Sequence, residues 1–205
     1  MTRRTYSGYQ YEDLNNLYTY PESNILKNKH DIRDMKTLLE IEHKSVASRI
    51  LKLTVFPIKV YSMNNVKEIH RYLFQDIYEW SGNLRKVNIS KEGKDFMSLQ
   101  SFDQGSEYMN YLIDNYHETA NTKDKVVSQL AAILDNLNHM HPFREGNGRT
   151  QREVIRVLAL QKGYYGEIDI LLDDEIFHLY MDGTVYEDVA KLEELFARIL
   201  EEIDE

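Results

Sequence analysis

Residues 139 to 152 read His139-Met-His141-Pro-Phe-Arg-Glu145-Gly-Asn-Gly-Arg149-Thr-Gln-Arg152, a stretch with the parts needed to move a phosphoryl or nucleotidyl group. Gly146 and Gly148 flank Asn147, and glycine lets a backbone curl closely around a bulky phosphate. A helix beginning here presents unpaired N–H groups and a positive dipole end to an anion. Arg149 and Arg152, three residues apart, share one face of its first turn. Two guanidinium forks beside a glycine cradle suit a polyphosphate better than a single carboxylate. Glu145 adds negative charge where phosphates would repel it, which makes sense with a divalent cation between them; Mg²⁺ takes one or two carboxylates plus phosphate oxygens and water. His141 supplies a base titrating near neutral pH at the other end of the loop.

Each part has an ordinary reading. Arginines at a helix start also pair with surface acids, and Gly-Asn-Gly is often only a turn. His139 and His141 form a His-x-His pair, but no further ligand cluster accompanies them. Pro142 and Phe143 read as packing residues. The joint spacing is what points to a metal-assisted polyphosphate site.

The elements that must hold this loop are helical. Three prolines and nine glycines in 205 residues favour helices over a sandwich or barrel. The first ~30 residues read as an irregular arm with a short helix. Asp31 is placed to cap a helix carrying Met35, Leu38, Leu39, Val46, Ile50 and Leu51. Val66, Ile69, His70, Leu73, Phe74 and Ile77 follow i, i+3, i+4, i+7 spacing, and Ser81-Gly82 is expected to end that helix. Leu84–Ser90 and Asp95–Leu99 are β-like runs about Gly93, which predicts a hairpin. Further helices are expected through Phe102, Tyr108, Leu112 and Ile113, from Thr122 through Leu137, and from Gly148 to Gly163. Two more carry Ile176, Phe177 and Leu179, then Tyr186, Val189, Leu192, Leu195, Phe196 and Ile199. The expected fold class is mainly α with one β-hairpin, in a single domain over 1–205.

Bulk composition bounds the function. A content of 42% apolar and 29% charged residues belongs to a globular chain. No apolar run approaches the roughly 18 residues needed to span a membrane, and no apolar stretch follows Met1-Thr-Arg-Arg to make a secretory signal. The absence of cysteine excludes disulfides and thiolate metal sites. A net charge of −9 argues against direct nucleic-acid binding, so phosphate recognition should be local.

The segment His141-Pro-Phe-Arg-Glu-Gly-Asn-Gly-Arg149-Thr-Gln-Arg152 resembles the motif of the Fic (filamentation induced by cAMP) domain family at every defined position. Tyr20–Lys29, Leu73–Gly82 and Arg85–Ser90 also look like their counterparts in that family. The resemblance implies a Fic-type helical bundle with a core at about 20–165, a hairpin flap at about 85–99 and C-terminal helices at about 172–203. It implies protein adenylyltransfer, with His141 deprotonating a Tyr, Thr or Ser hydroxyl that attacks the α-phosphate of ATP. Glu145 would hold Mg²⁺. Gly146, Asn147, Gly148, Arg149, Thr150, Gln151 and Arg152 would bind the nucleotide, with Arg152 on the γ-phosphate, and Phe143 would anchor the loop. Val87, Asn88, Ile89 and Ser90 of the flap would dock the target protein by main-chain pairing.

Other readings stay open: a Doc-like kinase, another nucleotidyl or phosphoryl transferase, or a helical module that only binds a nucleotide. The two glycines and Arg149 separate the segment from the Doc-type loop, and a pure binder needs neither His141 nor Glu145. The family's inhibitory helix, (Ser/Thr)-x-x-x-Glu-(Gly/Asn), has no match; Glu187 comes nearest, but Gly183 precedes it and Asp188 follows. The resemblance therefore suggests a bacterial toxin or effector restrained by a small antitoxin-like protein, acting in the bacterial cytoplasm or, if translocated, in a host cytosol.

Overall fold

The computed structural model describes residues 9–91, 93–170 and 173–204, and among these seven helices and five short strands form a mainly α fold. In chain order they are β1 (Tyr9–Tyr11), α1 (Met35–Val55), α2 (Met63–Phe74), β2 (Ile89–Lys91), β3 (Lys94–Asp95), α3 (Phe102–Thr119), α4 (Lys123–Met140), α5 (Asn147–Gln161), β4 (Tyr164–Tyr165), α6 (Asp174–Val185), α7 (Val189–Ile199) and β5 (Glu201–Glu202). No helix of the described residues is long and apolar enough to cross a membrane.

The frame of the site is α4 and α5. Thr122 caps α4 by accepting from the Lys125 N–H, and Val126, Leu130, Ile133, Leu134, Leu137 and Met140 bury one stripe against α3, α5 and α7. Helix α5 lies deeper still: Val154, Ile155, Val157, Leu158 and Ala159 are all buried. The predicted α2 stripe is buried as expected, but the helix stops at Phe74, before Ser81-Gly82. There the Ile77 and Tyr78 N–H groups both turn back to the Phe74 carbonyl. The Gly82 N–H, at φ +79, donates to His70 Nδ1 at 2.8 Å, folding the segment back against the helix it left.

Several sequence expectations move. Asp34, not Asp31, caps α1, accepting from the Thr37 N–H at 2.8 Å, while Asp31 sits in the preceding turn at φ 49. Its inward stripe is Leu38, Glu42, Val46 and Leu53; Met35, Leu39 and Leu51 face outward. The inward stripe of α3 runs Phe102, Gly105, Met109, Ile113 and Tyr116, leaving Tyr108 exposed. Among the described residues of the N-terminal arm there is a strand and no helix, because the Asp13 carboxylate takes the Leu17 and Tyr18 N–H groups and closes a turn.

The expected hairpin exists as β2–β3, shorter than 85–99, with Gly93 at φ +76 in its turn. It is the middle and one edge of a three-stranded sheet in the order β1-β2-β3, because β1 pairs antiparallel with the other side of β2. A second small sheet was not foreseen: β5, in the acidic end, pairs antiparallel with β4. The expected C-terminal helices are α6 and α7; Leu172, where they were expected to begin, lies outside the described residues.

Candidate active site

The loop from His141 to Gly146 joins the end of α4 to the start of α5, and each of its residues is held by a separate tether. His141 caps α4 in the left-handed region, φ 44 and ψ 60, with its N–H on the Leu137 carbonyl. Its Nδ1 lies 3.3 Å from the Asn138 carbonyl oxygen. A carbonyl only accepts, so Nδ1 carries the hydrogen and Nε2 is left as the acceptor a general base requires. The ring is 4% exposed, stacked on Phe96 at 3.9 Å and faced by Tyr9 at 5.1 Å. Burial pushes its pKa down to about 3, so at neutral pH it is the uncharged base.

Arg85 fastens the flap to this loop. Its guanidinium donates to the His141, Val87 and Met97 carbonyls at 2.8, 2.7 and 2.5 Å, and its N–H donates to the Pro142 carbonyl at 2.8 Å. Burial lowers its pKa to about 10, which leaves it charged at neutral pH.

Phe143 is buried and stacks on His70 at 3.8 Å, nearly parallel. The Asn147 side chain accepts from the Phe143 N–H and donates to the Phe143 carbonyl, closing the turn. Asn147 therefore spends its side chain on the loop and offers a ligand its main-chain N–H. Gly146 starts α5 at φ +83, with no side-chain cap on the helix. The N–H groups of Asn147, Gly148 and Arg149 thus form an open anion cradle.

A Cβ on Gly146 would stand 2.3 Å from Phe74 Cζ in a conformation that L residues rarely adopt. Gly146→Ala is expected to cost about 3 kcal/mol from the clash and the positive φ together, read as a lower melting temperature with weakened nucleotide binding. Phe74→Leu in the same chain should restore part of the binding; no restoration would remove the clash as the cause.

Arg149 and Arg152, three residues apart on α5, reach different partners. Arg149 Nη1 is 2.7 Å from Oε1 of the buried Glu42, whose other oxygen accepts from the Tyr78 hydroxyl. Arg152 has no carboxylate within ion-pair distance among the described residues, and its guanidinium lies 5.7 Å from the Tyr180 ring. Glu187, the nearest match to an inhibitory glutamate, pairs with His139 at 3.9 Å rather than with Arg152. Thr150 and Gln151 each hydrogen-bond the main chain, and Gln151 also borders the cavity beside Gly148 and Arg152. The Thr150 hydroxyl donates to the Gly146 carbonyl and the Gln151 amide to the Leu137 carbonyl, and both side chains are buried.

Glu145 Oε1 accepts from the Gly146 N–H and lies 3.7 Å from Arg149, while Oε2 accepts no hydrogen bond from the described residues. Among the described residues no cluster of three His, Asp or Glu could hold a metal. One carboxylate with a free oxygen beside an anion cradle fits Mg²⁺, which draws its other ligands from phosphate and water.

Four residues with no assigned role in the sequence reading position the site: Glu42, His70, Tyr78 and Arg85. His70 Nε2 donates to the Glu145 carbonyl at 3.0 Å while Nδ1 accepts from Gly82, so one neutral ring fixes the loop against α2. The signal for Glu42 and His70 is a polar residue standing inside an apolar stripe. Burial pushes the His70 pKa down to about 3 as well. Both histidines are neutral when folded and bind protons when unfolded below about pH 6.5. Stability is therefore full above that pH and is lost as pH falls toward 3. Going from pH 6.5 to 5 should cost about 2 kcal/mol per histidine, and denaturant titrations of His70→Gln should show a correspondingly smaller loss than the native chain. An equal loss in both would refute the assignment.

Gly148 of the cradle, Gln151, Arg152, His141 and Tyr9 border one cavity of about 250 Å³ between the flap and α6. The Fic/DOC family profile matches residues 61–159, which include this loop and its flap. Over 162 residues the chain is 33% identical to protein adenylyltransferase VbhT of Bartonella schoenbuchensis, covering 78% of this chain and 34% of that one, so it spans about a third of that relative's length. It is 31% identical to a probable protein adenylyltransferase Fic of Salmonella typhimurium, covering 72% of this chain and 74% of that one. The structure of the BepC effector of Bartonella tribocorum with bound AMPPNP superimposes with a TM-score of 0.78 at 19% identity, covering 91% of this chain and 97% of that one. With 31% identity over 74% of the Salmonella relative's length and the profile match, the chain belongs to the Fic/DOC family.

Proposed function

We propose that this chain is a protein adenylyltransferase that moves AMP from ATP to a Tyr, Thr or Ser hydroxyl of a target protein. The observation carrying this reading is His141: its Nδ1 hydrogen is committed to the Asn138 carbonyl, which leaves Nε2 as the acceptor of a neutral base on a residue lining the cavity, a few residues from an uncapped helix start. Relatives named protein adenylyltransferases support it.

His141 Nε2 takes the proton of the target hydroxyl, whose oxygen attacks the α-phosphorus as pyrophosphate leaves. The N–H groups of Asn147, Gly148 and Arg149 hold phosphate oxygens, and Glu42 keeps Arg149 aimed at them. Arg152, without an ion pair of its own among the described residues, is the clamp for the γ-phosphate. Glu145 is the ligand for Mg²⁺, which when bound would offset phosphate charge. The flap segment Val87, Asn88, Ile89 and Ser90 registers the target by strand addition.

Arg152 is also the point where a small antitoxin-like protein would insert a glutamate to stop ATP use; the absence of a matching inhibitory motif in the chain supports a partner in trans. The enzyme would act in the bacterial cytoplasm, or in a host cytosol if carried there. Incubation with ATP, Mg²⁺ and a lysate, followed by mass spectrometry of modified proteins, tests the reaction. A gain of AMP is expected; a gain of phosphate alone would favour the Doc-like reaction and refute this one.

A further inference from the structure

The flap edge assigned above to a target is already paired with a strand of the same chain. Tyr9 sits opposite Lys91, Gln10 opposite Ser90 and Tyr11 opposite Ile89. The ladder continues where the Glu12 N–H donates to the Asn88 carbonyl at 3.2 Å and the Asn88 amide donates to the Glu12 carboxylate at 3.1 Å. Side chains two apart on a strand share a face, and here that face is the active-site face. Tyr11 lies under the Arg144 guanidinium at 3.3 Å, which makes a residue of the loop an anchor for β1. Tyr9 lies 5.1 Å from the His141 ring and 5.9 Å from Phe96, with Lys91 Nζ 5.0 Å above it.

Tyr9 borders the same cavity as His141, Gly148 and Arg152. A bystander strand would have no reason to combine main-chain pairing in this register with a clamped phenol beside the base. A docked target needs both.

Resting on the adenylyltransferase reading, we propose that Tyr9–Tyr11 is a target strand carried in cis and that the Tyr9 hydroxyl accepts AMP at this chain's own active site. The Tyr9 Oη bond to the α-phosphorus forms as the bond from that phosphorus to pyrophosphate breaks. Pyrophosphate departs with the electron pair, and the phenolic proton passes to His141 Nε2. Because the strand is tethered, the acceptor is supplied at high effective concentration, and an outside target must first displace it.

The test incubates the purified chain with Mg²⁺ and ATP labelled at the α-phosphate, then maps peptides by mass spectrometry. The expected result is one AMP on Tyr9, gained at a rate per chain independent of protein concentration, and abolished in Tyr9→Phe and in His141→Ala. In parallel, native chain and Tyr9→Phe are incubated with a bacterial lysate. Labelled lysate proteins with Tyr9 unmodified would overturn the proposal while leaving the adenylyltransferase reading standing. So would AMP on another residue of the chain instead of Tyr9, or a labelling rate per chain that rises in proportion to concentration. No label on any protein would remove both readings together.

Discussion

His141→Ala is expected to slow AMP transfer by about 10²–10⁴-fold, the range over which a positioned general base contributes. ATP affinity should stay unchanged, because the cradle at the start of α5 and the two arginines do not depend on the imidazole. The fold should survive as well, since Arg85 holds the loop through the main-chain carbonyl of residue 141 and not through its ring. Calorimetric titration with ATP and single-turnover labelling of a target separate the two quantities. Labelling near the native rate, or a loss of ATP binding as large as the loss of rate, would refute the role of base.

Glu42→Ala should do the opposite, damaging stability and nucleotide binding together. Glu42 is 2% exposed and bridges the Tyr78 hydroxyl to Arg149. Removing one partner of a buried ion pair costs about 3–5 kcal/mol, because the remaining charge is left buried without compensation. In a chain of this size that corresponds to a fall in melting temperature on the order of 10 °C. Arg149 would also lose the contact that aims it, so ATP should bind about tenfold more weakly, equivalent to ~1.4 kcal/mol. Glu42→Gln keeps the shape and one acceptor and should lose less of both. If Glu42→Ala melts with the native chain, the bridge contributes nothing and Arg149 is positioned by other contacts.

The catalytic loop was legible because its parts are local: twelve consecutive residues carry the base, the carboxylate, the glycines and the arginines. The helices from 63 to 161 were legible for the same reason, each burying a stripe that repeats within a few turns. Thr150 and Gln151 were assigned to the nucleotide by membership in the motif; what the sequence does not display is that the Thr150 hydroxyl turns back to the Gly146 carbonyl and the Gln151 amide to the Leu137 carbonyl. What the chain does not display locally is pairing at long range. Glu42 meets Arg149, His70 meets the Glu145 carbonyl and Arg85 meets the His141 carbonyl, and no periodicity links such partners. The strand at Tyr9–Tyr11 is the sharpest case: it alternates correctly, but its partner strand lies beyond two helices and no turn joins them.

The loop between Met140 and Asn147 also has a direction. It leaves the carboxyl end of one helix and enters the amino end of the next, ends that carry roughly −0.5 and +0.5 of an elementary charge. Over seven residues the chain therefore climbs an electric field, with His141 at the foot and the Gly146–Arg149 amides at the top. On the proposed reaction, a proton arriving on His141 would be favoured at the negative end, and charge building on the departing pyrophosphate at the positive end. In the proposed transfer the proton and the leaving group, released from different bonds, would thus be stabilised at opposite ends of the loop by the backbone itself, before any side chain of the target is recognised.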